Sequence, residues 1–189
     1  MSMTVQLLHK KFTIAEFQQM AETGIIKDED RLELIDGEII EMGKIGSKHA
    51  AYVDRLNDLL RDKLGKQVLI RIQNPVELST YSQPQPDIAL VRRRNDYYEN
   101  RHPQPQDIFL LIEVADSTLE TDREVKIPIY ARSLILEAWI VNCNNQSLEV
   151  YRYPTDNNYR EKLCFFKGEK LSCLAFADLE ITVDEIMGL

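Results

Sequence analysis

The segment Ile108-Phe-Leu-Leu-Ile-Glu-Val114 is apolar at every position but one. A strand with one solvated face alternates apolar and polar residues, so a continuous run of this kind belongs to a strand covered on both faces. The chain must then place a layer of structure on each side of it, which is what an α/β fold provides. The flanking sequence agrees. After Asp116-Ser-Thr118 the spacing predicts a helix from about Thr121 to Arg132, and Ala138-Trp-Ile-Val141 returns as a second buried strand. Strand, helix and strand at this spacing make a candidate for a right-handed βαβ crossover. Pro128 falls inside the predicted helix and should kink or shorten it.

Other segments fill in a mixed central β-sheet flanked by helices. Thr13-Ile-Ala-Glu16 is a capping-box pattern opening a short helix that Gly24 can close. Leu32-Glu-Leu-Ile, Asp36-Gly37 and Glu38-Ile-Ile-Glu41 form a hairpin signal, because a type I′ turn needs positive φ at both central residues. From Ser47 to Leu64 the residues Val53, Leu56, Leu60 and Leu64 recur at three and four, with Ser47 as N-cap and Gly65 past the end. Extended segments follow at Val68 to Ile72, Val76 to Leu78 and Ile88 to Val91, separated by turns at Pro75, Pro84 and Pro86. Leu148 to Tyr153 and Glu161 to Phe166 read as antiparallel strands joined by Asn-Asn turns, before a short helix near Asp184. At 189 residues one domain is expected, with an N-terminal helix and hairpin at 12–42, a core at about 47–142, and C-terminal strands and a cap at 148–189.

Composition excludes several classes. Apolar residues make up 44% and charged residues 29%, values unlike those of disordered or collagen-like chains. No stretch approaches the roughly 18 apolar residues of a membrane span, and Met1 to Lys11 lacks the apolar h-region of a signal peptide. A soluble cytoplasmic protein with no membrane partner is expected. Cys143, Cys164 and Cys173 are odd in number and show no C-x-x-C spacing, which disfavours a disulfide framework and a zinc site. The net charge of −8 argues against general avidity for phosphates, so any nucleic-acid contact must be local or helped by metal.

Carboxylates carried to the ends of apolar strands need a cation or a metal. Asp87 opens one strand after Gln85-Pro86, and Glu113 closes the most apolar strand. If neighbouring strands present both at one edge, they give a hard divalent ion two oxygen ligands; otherwise they are salt-bridged or solvated acids. Lys126, in the first turns of the following helix, can point back over the strand's C-terminal end, although most helical lysines face solvent. His49 shares the helical face of Val53, Leu56 and Leu60 and reads as a hydrogen-bonded core histidine in preference to a base or ligand. Arg92, Arg93 and Arg94 could grip phosphates, but Asp96 and Glu99 close by favour a solvated charge cluster.

The ordered run Gln85-Pro-Asp87, Leu110-Leu-Ile-Glu113-Val, Asp122-Arg-Glu-Val-Lys126, Tyr130-Ala131 and Glu137-Ala-Trp-Ile-Val141 resembles the Uma-type family of restriction endonucleases, a branch of the PD-(D/E)XK nuclease superfamily. The hairpin around Leu32 to Glu38 and the strand Leu148-Glu-Val-Tyr-Arg152 match as well. The resemblance implies a restriction-endonuclease-like core in which Asp87 and Glu113 hold Mg2+, with Mn2+ as a substitute. It also implies that an N-terminal acidic residue of the family maps onto Glu33, and a lysine displaced onto the helix maps onto Lys126. In the E-x-K form of the superfamily the lysine would follow the glutamate by two, where this chain has Ala115.

The function expected on these grounds is Mg2+-dependent hydrolysis of phosphodiester bonds in DNA by an endonuclease acting as a homodimer. A catalytically inactive nucleic-acid-binding or dimeric interaction module on the same fold is the alternative, favoured by the acidic surface. A glycosidase built on paired carboxylates has little support, with a single tryptophan in the chain and none beside either carboxylate.

Overall fold

In the computed structural model, which describes residues 9–27 and 29–189, the elements alternate as the periodicities require. Residues 1–8, part of the stretch read for a signal peptide, lie outside the described residues. Helix α1 (Ile14–Glu22) opens on the expected capping box, with Glu16 N–H donating to Thr13 Oγ1 at 3.2 Å and Thr13 N–H to Glu16 Oε2 at 2.8 Å. Gly24 follows it in the left-handed region at φ 74°. Strands β1 (Leu32–Ile35) and β2 (Glu38–Glu41) pair antiparallel around Asp36 and Gly37, whose φ values of 48° and 81° are those of the predicted turn.

Helix α2 (Ser47–Leu64) begins at its predicted cap: Gly46 is the N-cap, one residue earlier than expected, and Ser47 is already helical. Strands β3 (Val68–Ile72), β4 (Ile88–Arg92), β5 (Ile108–Ala115), β6 (Glu137–Asn142), β7 (Ser147–Pro154) and β8 (Tyr159–Phe165) form one sheet in the order β3-β4-β5-β6-β7-β8. Only β5 and β6 run parallel, so the sheet is mixed and the strand–helix–strand unit stands where it was expected. Val76 to Leu78 makes no ladder in this sheet. The segment folds back on Ser82 to Pro84, with Val76 N–H donating to Pro84 O and Leu78 N–H to Ser82 O. Strands β9 (Lys170–Cys173) and β10 (Phe176–Thr182), not among the expected elements, form a separate antiparallel pair before helix α5 (Val183–Met187).

Two apolar cores lie against opposite faces of the sheet. On one, Val53, Leu56, Leu60 and Leu64 of α2 pack on Ile88, Leu90, Ile112 and Val114. At about 1.5–3 kcal/mol for each fully buried aliphatic side chain, this stripe holds α2 in place far more than helix propensity does. On the other face Ile127, Ile129 and Tyr130 pack on Ala89, Val91, Leu111 and Ala138. The strands β4 and β5 thus alternate between two buried faces, which accounts for the unbroken apolar run. Among the described residues no helix is long and apolar enough to cross a membrane.

Candidate active site

Strand β4 runs antiparallel to β5 with Ile88 opposite Ile112. One further step of that register sets Asp87 against Glu113, so the start of one strand and the end of the other share one sheet edge. Asp87 Oδ2 accepts a 2.8 Å hydrogen bond from the Val114 N–H, which fixes the carboxylate there. Glu113 shares its face of β5 with Leu111 and Ala115 and therefore turns to the second core, where Tyr130 donates its hydroxyl to Glu113 Oε1. Lys126 Nζ lies 3.4 Å from Glu113 Oε2 and 3.3 Å from Glu33 Oε2. Glu33 reaches the edge because β1 bridges Gln83 through Leu34, and the Gln85 N–H donates to Glu33 Oε2 at 3.1 Å.

The helical segment carrying Lys126 is not regular. After α3 (Leu119–Thr121) a π-helical turn spans Asp122–Lys126, and α4 (Ile127–Arg132) completes the segment. The Ile127 N–H reaches back five residues to Asp122 O, widening the helix just before Pro128, whose missing N–H could not serve an α-helical ladder. The expected effect of Pro128 is therefore met by a wide turn inside a continuous helical segment. That turn buries Asp122 and Lys126 together on the side facing Glu113.

The electrostatics follow from burial. Glu33, Glu113, Asp122 and Lys126 are 4%, 2%, 4% and 7% exposed, so water cannot neutralise their charges. Burial alone would discharge Lys126, but Glu113, Glu33, Asp122 and Asp87 raise its pKa above the ordinary lysine range and keep it an ammonium. Burial pushes the Glu113 carboxyl well above its usual range, opposed by Lys126 and assisted by Asp122 and Asp87. Asp122 is pushed up to about 6 by burial, against the pull of Lys126 and of the Thr118 hydroxyl 2.7 Å away. For Asp87 burial is overcome: His49, the Val114 N–H and Lys126 hold its pKa below the usual carboxylate value.

His49 stands in the first turn of α2 with Nε2 3.0 Å from Asp87 Oδ1, and Gln73 Nε2 lies 3.3 Å from the same oxygen. The histidine therefore belongs to the cleft and not to the apolar core assigned to it from its helical stripe. The stripe runs past the end of the sheet, so its first member overhangs the strand ends. The hydrogen bond to Asp87 raises the His49 pKa against the effect of burial. Asp122 was visible in the sequence only as a residue four before Lys126; an opposite charge at helical spacing from a candidate lysine was the available signal.

The arginines Arg92, Arg93 and Arg94 are not brought to this cleft. Arg92 ends β4 and Arg93 and Arg94 follow it, roughly 16 Å or more from Asp87 at about 3.3 Å per residue. Arg92 lies over the Phe109 ring and donates to Gln106 O, Arg93 donates to Val68 O, and Arg94 is paired with Asp96 at 2.6 Å. These contacts within the chain hold the three guanidinium groups away from the cleft.

The cleft is bounded by residues 42–46 on one side and by Asp116, Ser117 and Thr118 on the other. Among the described residues no group of three or more His, Cys, Asp or Glu side chains is set to enclose an ion by itself. The donor set nonetheless suits a hard divalent cation. Asp87, Glu113 and Glu33 supply carboxylate oxygens, and Mg2+ ordinarily takes one or two carboxylates with waters and a phosphate completing its shell. A divalent ion beside Glu113 would also favour its ionised form, which burial otherwise opposes.

A family model named Uma2 and described as "Putative restriction endonuclease" matches residues 14–184. A solved structure from Anabaena variabilis, described as "a putative nuclease belonging to DUF820", is similar at a TM-score of 0.68 and 17% identity, covering 94% of this chain and 98% of that one. At that identity the likeness concerns the fold. No curated protein matches the chain.

Proposed function

The chain belongs to the Uma2 family of restriction endonucleases, and from that premise we propose that it hydrolyses phosphodiester bonds in DNA at the Asp87–Glu113–Lys126 edge with the help of Mg2+ or Mn2+. One observation carries this reading: a buried, charged ammonium lies between Glu33 and Glu113 at the strand ends where Asp87 is anchored. Asp87 and Glu113 would hold the ion, with Glu33 beside them. A divalent cation in that place supplies Lewis-acid polarisation of a phosphoryl oxygen and a bound water of lowered pKa.

The chain's own residues do the rest. The carboxylates around Lys126 favour its ammonium form, which suits it to face, as a positive charge, the anion that develops on the phosphoryl group. Tyr130, whose pKa burial and Glu113 raise far above the ordinary phenol value, keeps its proton and restrains Glu113. Glu33 fixes the lateral position of the ammonium and can orient the attacking water. The cytoplasm is the compartment proposed, and a homodimer the assembly, since two sites related by a twofold axis suit a cut in both strands of a duplex. Sedimentation showing a stable monomer at micromolar concentration contradicts the dimer.

A second reading, a binding module without turnover, is favoured by the net charge of −8 and by the protein donors that already occupy each carboxylate. Incubation of the protein with duplex DNA, single-stranded DNA and RNA, with Mg2+ and with Mn2+, separates the two. Metal-dependent cleavage of DNA that EDTA abolishes supports the nuclease; binding without cleavage under either metal supports the module.

A further inference from the structure

We infer that His49 is a positioning residue that fixes the Asp87 carboxylate for its role at the site, an inference that rests on the metal-dependent reading above. The imidazole has one polar contact among the described residues, Nε2 to Asp87 Oδ1 at 3.0 Å, while Nδ1 is buried without a partner. A buried ring nitrogen left unpaired is a cost to folding, and His49 overhangs the strand ends where the apolar stripe no longer packs on the sheet. His49 therefore serves Asp87 and not the stability of α2.

The bonds around Asp87 show what is fixed. Oδ1 takes His49 and, more loosely, Gln73, whereas Oδ2 takes the Val114 N–H alone. A carboxylate oxygen offers about two acceptor sites. Oδ2 is thus left with an open lone pair, anchored beside Val114, the residue after Glu113. Without His49 the Oδ1 side keeps only the looser Gln73 contact, so the carboxylate can pivot about the Val114 bond and its spare acceptor is less closely directed. Outer hydrogen bonds of this kind commonly set the affinity of ligating carboxylates.

The test uses the full chain and reads Mn2+ binding from the electron paramagnetic resonance of free ion, with thermal unfolding measured alongside. His49→Leu is expected to remain folded at the assay temperature, which the melt verifies, yet to bind Mn2+ about 10–100-fold more weakly. His49→Gln, whose amide nitrogen reaches as far as Nε2, restores most of the affinity. In an Asp87→Ala background, His49→Leu adds no further loss, because the partner through which it acts is gone. Equal Mn2+ affinity of His49→Leu and the parent overturns the inference, as does a loss of the same size with and without Asp87. Imidazole 15N spectra keep the two readings apart. If the parent binds no Mn2+, the metal reading fails; an Nε2–H signal protected in the parent and lost in Asp87→Ala then still supports His49 as the anchor, and an Nε2–H signal indifferent to Asp87 overturns it.

Discussion

Lys126→Ala removes the single ammonium around which Glu33, Glu113, Asp122 and Asp87 are gathered. A helical lysine judged from sequence looks removable without harm to folding, but the geometry reverses that expectation. Nζ is 3.3 Å from one buried carboxylate and 3.4 Å from another, and the lysine is 7% exposed. Removing one partner of a buried ion pair costs about 3–5 kcal/mol, because the charge left behind has neither water nor counter-ion. For a chain of this size each kcal/mol lowers Tm by roughly 2–4 °C, so a fall on the order of 10 °C is expected in metal-free buffer. Circular dichroism melts of the parent and variant measure it. Because an ion that binds only the folded state stabilises it by mass action, millimolar Mn2+ should raise the variant's Tm more than the parent's. A variant melting within about 2 °C of the parent, the scale of an ordinary surface substitution, would refute the buried cluster.

Glu149 is 3% exposed; against the push of burial, Arg123, Tyr151 and Lys162 hold its pKa at about 2. A carboxyl whose pKa is depressed on folding adds stability above its unfolded value of 4.5 and loses it as pH falls through about 2. The expected contribution at neutral pH is about 3 kcal/mol, and in Arg123→Leu the acid loss, followed as Tm against pH, should shift upward toward pH 4.5. Trp139 is fully buried with its indole N–H 3.0 Å from Glu137 Oε1, so Trp139→Ala should cost about 3–5 kcal/mol in urea unfolding. Asp87→Ala should weaken Mn2+ binding directly, measured by titration calorimetry, whereas Arg94→Ala, whose guanidinium is occupied by Asp96, should leave Mn2+ affinity unchanged.

The parts of the fold legible in the sequence are those where one physical constraint acts alone. The Ile108 to Val114 run could only be a strand covered twice, and Asp36-Gly37 could only turn with positive φ. From the central strand it followed that Glu113 is a charge at the edge of a core, and the register of β4 places Asp87 opposite. The failures arise where tertiary position overrides local pattern. His49 keeps the period of an apolar stripe, but the stripe outruns the sheet. Val76 to Leu78 looks extended and apolar, yet it packs into the second core as an irregular segment. Arg92, Arg93 and Arg94 are near Asp87 along the chain and a full strand length away in space. The short pair β9 and β10 was not among the expected strands although Lys170-Leu-Ser-Cys173 and Asp178-Leu-Glu-Ile-Thr182 alternate polar and apolar residues; that alternation was the available signal.

Single-turnover cleavage of a labelled duplex by the parent and by Lys126→Ala, both saturated with Mn2+ and both held below their melting temperatures, tests the central claim most directly. The variant should cleave roughly 10²–10⁴-fold more slowly, the range for losing one positioned electrostatic or acid–base group, while binding the metal. Cleavage by the variant at the parent's rate would contradict the account and return Lys126 to a purely structural ion pair.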